Sequence, residues 1–352
     1  MGTGRCEVLC ESESATLSEP HLILGLGELL WDLLPDGAQL GGVPIDGSMS
    51  MGLLGGVPID GSKSMGLLGG APANFSVMAG RLGNHAAVLS RIGRDDLGRR
   101  AMDRLDAMPV DASAVQVDPA HETGRVTVAF EGGQPRYTIH QPAAWDFLEL
   151  TDEWLRLAER ADAICFGSLA QRSLESRQTI QTLVAQTSSA CVRVFDVNLR
   201  KPFYSSEVIQ ESLELATVVK MNDVELPLVL GLLGLPADEE PAGDRLRRGA
   251  LRLLGEFPAL EMVAITRGEH GSLLVRRDEC HEHPGIRIKV ADTIGAGDAF
   301  AAALTHYLLR GADLATLNEA GNRWGAWVAS QPGAMPALPD EVIARITAEI
   351  EG

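Results

Sequence analysis

Short apolar runs recur along the chain at 21–27, 86–92, 163–167, 192–197, 217–221 and 262–266. Runs of this length, bounded by polar residues, predict strands buried on both faces. Between them the apolar positions fall at helical spacing. Over 95–108, Leu97, Ala101, Leu105 and Met108 form one stripe behind acidic residues at the start, which predicts an amphipathic helix. Further helices are expected at 74–82, from Thr151 onward, and at 173–186, 207–215, 222–231, 243–255, 297–310 and 313–330. Repeated alternation of strand and helix predicts an α/β fold, its sheet mostly parallel and covered by helices on both faces.

The rhythm breaks at 113–140. Two β-rich runs, 126–130 and 136–139, flank Glu131-Gly-Gly-Gln-Pro135. That pattern predicts a hairpin lying outside the main sheet. A second irregularity is a tandem repeat. Residues 41–54 and 55–68 are identical except for Met49 against Lys63. Residues 69–82 match the second copy at six of fourteen positions, with Asn74 where Asp46 and Asp60 stand. In the third copy Phe75, Val77 and Met78 can pack a helix, whereas the earlier copies carry Gly47 or Gly61 at the Phe75 position, which weakens one. The segment 41–68 is therefore read as a flexible loop and a neutral duplication, with function assigned to Gly69–Asn74.

Composition narrows the function classes. The 352 residues are 45% hydrophobic, ample for a large core. The formal net charge is −18, and basic residues occur only as scattered pairs such as Arg99-Arg100 and Arg276-Arg277. A face that neutralises nucleic-acid phosphates needs clustered cations, so nucleic-acid binding is not expected. No run approaches a membrane span. Residues 1–20 hold no apolar stretch suited to a signal peptide and read as a disordered tail. The five cysteines are odd in number and match no zinc spacing. Cys165 and Cys191 sit in apolar runs and are expected as buried free thiols in a reducing cytoplasm.

The chemistry concentrates near the end. Asp292-Thr-Ile-Gly-Ala-Gly-Asp298 precedes the helical run from Ala299 to Leu309. Gly295, Ala296 and Gly297 thus stand at a helix N-terminus, where unpaired N–H groups can stabilise charge on a phosphoryl group. Asp298 is placed to accept the proton of an attacking hydroxyl. Read alone, Gly-x-Gly-Asp fits equally well as a plain helix entry with Asp298 as N-cap.

The full seven-residue string resembles the C-terminal signature of the ribokinase-like (phosphofructokinase B type) sugar kinases. Gly69-Gly-Ala-Pro-Ala-Asn74, followed by Gly80-Arg-Leu-Gly83, resembles their N-terminal signature, and the likeness runs from Leu22 to Pro339 outside 41–68. The resemblance implies a three-layer α/β/α sandwich over 21–352, with a small β lid drawn from about 113–140. It implies ATP as phosphoryl donor, with Mg²⁺, and K⁺ at the Asp292 side chain and the Ile294 carbonyl. Gly27-Glu-Leu-Leu-Trp-Asp32 is similar to the family's first-strand motif, so Asp32, Gly70 and Asn74 would hold the sugar. Asp196-Val-Asn198-Leu-Arg200 resembles a motif of fructokinases and ketodeoxygluconate kinases, which brings Arg200 to the substrate or the phosphates. Asn222 and Glu225 match the Asn-x-x-Glu that organises Mg²⁺ and phosphates. Thr266, Gly268 and Gly271 resemble the nucleotide-side turn, and Asn322 falls at the adenine pocket. A homodimer through the lid is a further implication.

Fructose is the favoured substrate on this likeness, with ketodeoxygluconate, ribose or another sugar as the runner-up. A catalytically impaired, regulatory member of the family is the alternative from another class. A dinucleotide-binding oxidoreductase would rest on Gly25-x-Gly27 after a strand, but position 30 is Leu where that fingerprint needs its third glycine. His270, His281, His283 and His306 belong to no motif and are read as surface or core residues.

Overall fold

The computed structural model describes residues 20–34, 39–40, 43–44, 57–58, 65–131, 134–236 and 242–352. The expected tail lies outside them, except for Pro20, as does most of the 41–68 repeat. In chain order the elements are β1 (Leu22–Leu26), β2 (Leu30–Leu34), β3 (Gln39–Leu40), β4 (Val43–Pro44), β5 (Val57–Pro58), β6 (Met65–Gly69), α1 (Ala71–Arg81), β7 (His85–Leu89), β8 (Arg91–Gly93), α2 (Asp96–Asp106), β9 (Gln116–Asp118), β10 (Gly124–Glu131) and β11 (Gln134–Ile139). They continue as α3 (Asp152–Arg160), β12 (Ala163–Gly167), α4 (Leu174–Ala185), β13 (Val192–Asp196), α5 (Ser206–Leu215), β14 (Val218–Asn222), α6 (Glu225–Leu232), α7 (Ala242–Glu256), β15 (Met262–Thr266), β16 (Ser272–Val275), β17 (Cys280–His283), α8 (Ala296–Leu308), α9 (Leu314–Ala329) and α10 (Asp340–Glu351).

The main sheet has the order β17-β16-β15-β14-β13-β12-β1-β7. From β7 to β15 every pairing is parallel, while β16 and β17 run antiparallel at one edge. Alternate residues of each central strand enter different cores. Leu24, Ile164, Phe166, Phe195, Val219 and Ile265 pack under α3 to α7. Ile23, Cys165, Val194, Val218 and Ala264 pack under α1, α8, α9 and α10. This two-sided burial explains why the strands read as continuous apolar runs.

The hairpin of β10 and β11 belongs to a second sheet of order β11-β10-β2-β6-β5. That sheet is the expected lid, but it recruits β2 and β6, which carried no hairpin signal. The stretch 113–123 lies outside it, since β9 pairs with β8. One expectation is corrected here. The last residues of the repeat, Met65 to Leu68, form a strand antiparallel to β2, with Leu67 opposite Asp32 and Leu68 opposite Trp31. Leu67 and Leu68 are both 7% exposed although successive strand residues face opposite sides; Leu68 joins the cluster of Leu29, Trp31 and Ala73. Val57 and Pro58 pair in turn with Gly66 and Met65 at the lid's edge.

Candidate functional site

Strand β1 has its neighbours β7 and β12 on opposite sides, and a sheet of this kind opens a crevice at the carboxyl ends of the strands around such a point. The N-termini of α1 and α8 meet there. Helix α8 starts at Gly295, which has a left-handed φ of 79° and acts as N-cap. Asp298 is thus a buried residue of the first turn, and the reading of it as the N-cap does not hold. A side chain at Gly295 would press on Ala334, and one at Gly297 would come within 2.7 Å of the Lys220 Nζ.

Asn74 donates from Nδ2 to Asp298 Oδ2 at 2.7 Å, a bond across 224 positions of sequence. Its other terminal atom, Oδ1, is buried without a partner. A Cβ at Gly69 would stand 3.4 Å from Asp32 Oδ2 and 4.0 Å from Asn74 Oδ1. Asp32, Gly69, Asn74 and Asp298 therefore border one volume rich in acceptors, as a polyhydroxylated molecule requires. Gly70 serves the backbone instead: at φ 111° its Cβ would strike the Glu28 carbonyl oxygen. Gly69, the first residue of the functional segment Gly69–Asn74, borders the polar volume directly.

The carboxylates are perturbed together. Burial raises Asp298 to about 6, Asp196 adds to the rise, and Lys220, the Asn74 bond and Arg200 oppose it. Burial also raises Asp32 to about 6, against the Arg200 charge. Glu28 is pushed up to about 7, by burial first. Its Oε1 accepts from the Ala71 N–H at the start of α1 at 3.3 Å, and its Oε2 has no partner. Arg200 is exposed and close enough in charge to affect all three acids. From the lid, Tyr137 is 56% exposed, and its hydroxyl is raised by burial and by the charge of Asp32.

Other expected residues lie along the same end of the sheet. Glu225, buried at the start of α6, accepts from the N–H groups of Leu199 and Asn222, both at 2.8 Å. Asn222 Oδ1 accepts from Val224 and Glu225. Thr266 closes β15. Gly268 and Gly271 shape the following turn with φ of 58° and 78°, and Arg267 donates its N–H to the Gly271 carbonyl. Asp292 accepts from the N–H groups of Ile294 and Gly333, tying the glycine loop to the segment after α9. Asn322 is buried in α9, its amide nitrogen donating to Ser272 Oγ and the Asn318 carbonyl. Those bonds fix its amide nitrogen against β16 and the preceding turn of α9.

Sequence motifs assign no role to Glu28 or Lys220. Lys220 was legible only as a cation inside an otherwise apolar strand, Val218-Val-Lys-Met221. Its Nζ donates to both Asp196 oxygens, at 3.1 and 3.0 Å. Among the described residues no cluster of three or more His, Cys, Asp or Glu is placed to hold a metal ion, and no helix is long and apolar enough to cross a membrane.

The chain resembles known proteins over most of its length. An uncharacterised sugar kinase of Pyrococcus horikoshii is 29% identical over 257 residues, covering 71% of this chain and 76% of that protein. Its crystal structure in complex with ATP superposes with a TM-score of 0.73 at 27% identity, over 93% of this chain and 99% of that one. The fructokinase of Escherichia coli is 29% identical over 271 residues, 71% of this chain and 82% of that protein. A fructokinase of Vibrio cholerae O395, solved with fructose, ADP and calcium ion, gives a TM-score of 0.71 at 26% identity, over 92% and 98% of the two chains. The family model for pfkB family carbohydrate kinases matches residues 62–341, beginning inside the second copy of the repeat. With that match over most of its length, and with the fold shared by these kinases, the chain belongs to the pfkB family of carbohydrate kinases.

Proposed function

We propose that the protein is a cytoplasmic kinase that transfers the γ-phosphoryl group of ATP to a hydroxyl of fructose. The observation that carries this reading is the Asn74–Asp298 hydrogen bond. It joins the glycine-rich helix end, suited to a phosphoryl group, to the acceptor-lined volume of Asp32 and Asn74, suited to a sugar. Fructose is favoured by the motifs Gly27–Asp32 and Gly69–Asn74 and by likeness to fructokinases.

In this mechanism Asp32 and Asn74 orient the sugar. The attacking hydroxyl oxygen bonds to the γ-phosphorus, the bond from that phosphorus to the β-phosphate oxygen breaks with its electron pair, and the hydroxyl proton passes to Asp298. The N–H groups from Gly295 to Asp298 face the charge on the transferring group. Arg200 stands at the rim as a cation for substrate or phosphates. Thr266, Gly268, Gly271 and Asn322 would border the nucleotide. Glu225 has one lone pair left on each oxygen after its two backbone bonds, which suits holding Mg²⁺ through water, assisted by Asn222. Asp292 and the Ile294 carbonyl would hold K⁺. Mg²⁺ supplies charge neutralisation on the phosphates when bound. A homodimer through the lid is part of the same reading.

The test is ADP release across fructose, ribose, ketodeoxygluconate and tagatose, in the wild type and Asp298→Asn. Fructose is expected to give the highest kcat/KM. Asp298→Asn should lose about 10²–10⁴-fold in kcat with ATP affinity nearly unchanged. Because Asp298 must be ionised to accept a proton, kcat/KM should fall as pH drops below about 6. Turnover surviving in Asp298→Asn would reject the base assignment. No turnover of any sugar by the wild type would favour a regulatory member of the family.

A further inference from the structure

Lys220 is a buried cation that the mechanism above does not use. It stands beside Asp196 in the parallel register of β14 on β13. The side chains are 11% and 4% exposed and joined through both carboxylate oxygens. A buried pair of this kind is weak evidence of added stability, since desolvation offsets most of the attraction. Its placement is more informative. The Nζ lies where any side chain on Gly297 would have to go, within 2.7 Å of that Cβ position. The ammonium is thus laid against the first turn of α8, one residue before Asp298.

The surroundings of Asp298 come from several elements. Asp196 faces it from β13, Lys220 from β14, Arg200 from the loop after β13, Glu28 from the segment after β1, and Cys165 from β12. Asn74 of α1 bonds it directly. Of these, Asp196 carries the negative charge that opposes ionisation of Asp298 in a buried site. Arg200 is exposed and open to screening by solvent ions. Lys220 is buried and fixed.

We propose that Lys220 is a positioning residue for phosphoryl transfer: its ammonium, clamped by Asp196 and lying over Gly297, holds positive charge against Asp298 so that this carboxylate stays ionised and ready to accept a proton. The inference rests on Asp298 being the base. It gives Gly297 a second reason to be glycine, because the lysine occupies the space of a side chain there.

The experiment measures kcat/KM against pH, with saturating ATP and fructose or the sugar turned over in the screen. It compares wild type, Lys220→Met, Lys220→Arg, Asp196→Asn and Asp298→Asn, with thermal melting to verify folding. Lys220→Met is expected to lose about tenfold or more in kcat, with the sugar KM within about threefold. Its acid limb should move to higher pH by about one unit, since loss of a cation makes Asp298 harder to ionise. Asp196→Asn should move the limb the other way, because an opposing negative charge is gone. Lys220→Arg should keep the wild-type limb. A folded Lys220→Met whose limb does not move overturns the proposal and leaves the pair a plain strand link. Should Lys220→Met fail to fold, Lys220→Gln takes its place, and an unmoved limb in that variant overturns the proposal equally. Turnover retained in Asp298→Asn rejects the base assignment and this inference together, whereas loss there with unmoved limbs in the other variants rejects the inference alone.

Discussion

Glu28 sits 3% exposed at the mouth of α1, its Oε2 without a partner. Burial and the nearby Asp298 raise it from an ordinary value of 4.5 to about 7. The sign of the consequence follows from linkage. Below about pH 4.5 the group is protonated in both folded and unfolded chains, and the site carries no charge cost. Between 4.5 and 7 the unfolded chain ionises while the folded one resists. Above about 7 the folded chain must hold a buried carboxylate, and the cost is full, roughly 3 kcal/mol for a rise of this size. Glu28→Gln is therefore expected to stabilise the protein by up to that amount at pH 8 and by nothing at pH 4. Urea unfolding at the two pH values measures this; an equal gain at both would show that the charge is not the cause. The residue was legible as part of Gly27–Asp32, but its role was not, since only the fold reveals that a helix start lies across from it.

At the scale of elements the repeat is the main surprise. Strand β6 is made by the tail of the second copy, so the duplicated sequence supplies the partner that β2 needs. The first copy ends in the same Met-Gly-Leu-Leu at 51–54. Removing 41–54 should thus leave β6 untouched and keep both the melting temperature and the sugar KM. Removing all of 41–68 joins Leu40 to Gly69, and Gly37–Leu40 must then form the strand. By the register of β6 on β2, Gln39 would replace the buried Leu67 and Gly37 would replace Met65. Losing a buried leucine is expected to cost about 2–4 kcal/mol, with the sugar KM unchanged because Gly69 and Asn74 keep their places. Thermal unfolding and steady-state kinetics of the two deletions separate these outcomes; a raised KM in the shorter deletion would show that the repeat takes part in substrate binding. The helices, by contrast, were largely legible: Asp95, Thr151, Ser173 and Asp313 accept from the first turns of α2, α3, α4 and α9 as N-caps, and capping is a local signal. Strands β16 and β17 were not, because β16 is buried but only four residues long and β17 is a mostly exposed edge, so neither shows the long apolar run that marks the central strands.

Across the whole molecule the proposed site draws on residues from 28 to 74 and from 196 to 322. Both cores must be assembled before those residues meet. A sugar that binds there stabilises the folded chain as a unit, by about 2.7 kcal/mol at a concentration one hundred times its Kd. Fructose without ATP is therefore expected to raise the melting temperature by a few degrees, and Asp32→Asn should abolish the rise while leaving the ATP-induced shift in place. Melting curves with fructose, ribose and ketodeoxygluconate check this. A fructose shift that persists in Asp32→Asn would remove that residue from the sugar site.

Legible along the chain were the layered α/β architecture, most of the helices, the hairpin and the chemical signature from Asp292 to Asp298, because each depends on periodicity or on neighbours within a few positions; α10 and the true start of α1 at Ala71 were not. The tertiary structure alone decided which atoms share a volume. It turned Asp298 from a first-turn acid into the partner of Asn74, set Gly69 beside Asp32 and Asn74, and placed Lys220 against Gly297. Those relations depend on strand register and on two helix ends meeting over the crevice beside β1, and no spacing along the chain encodes such a meeting.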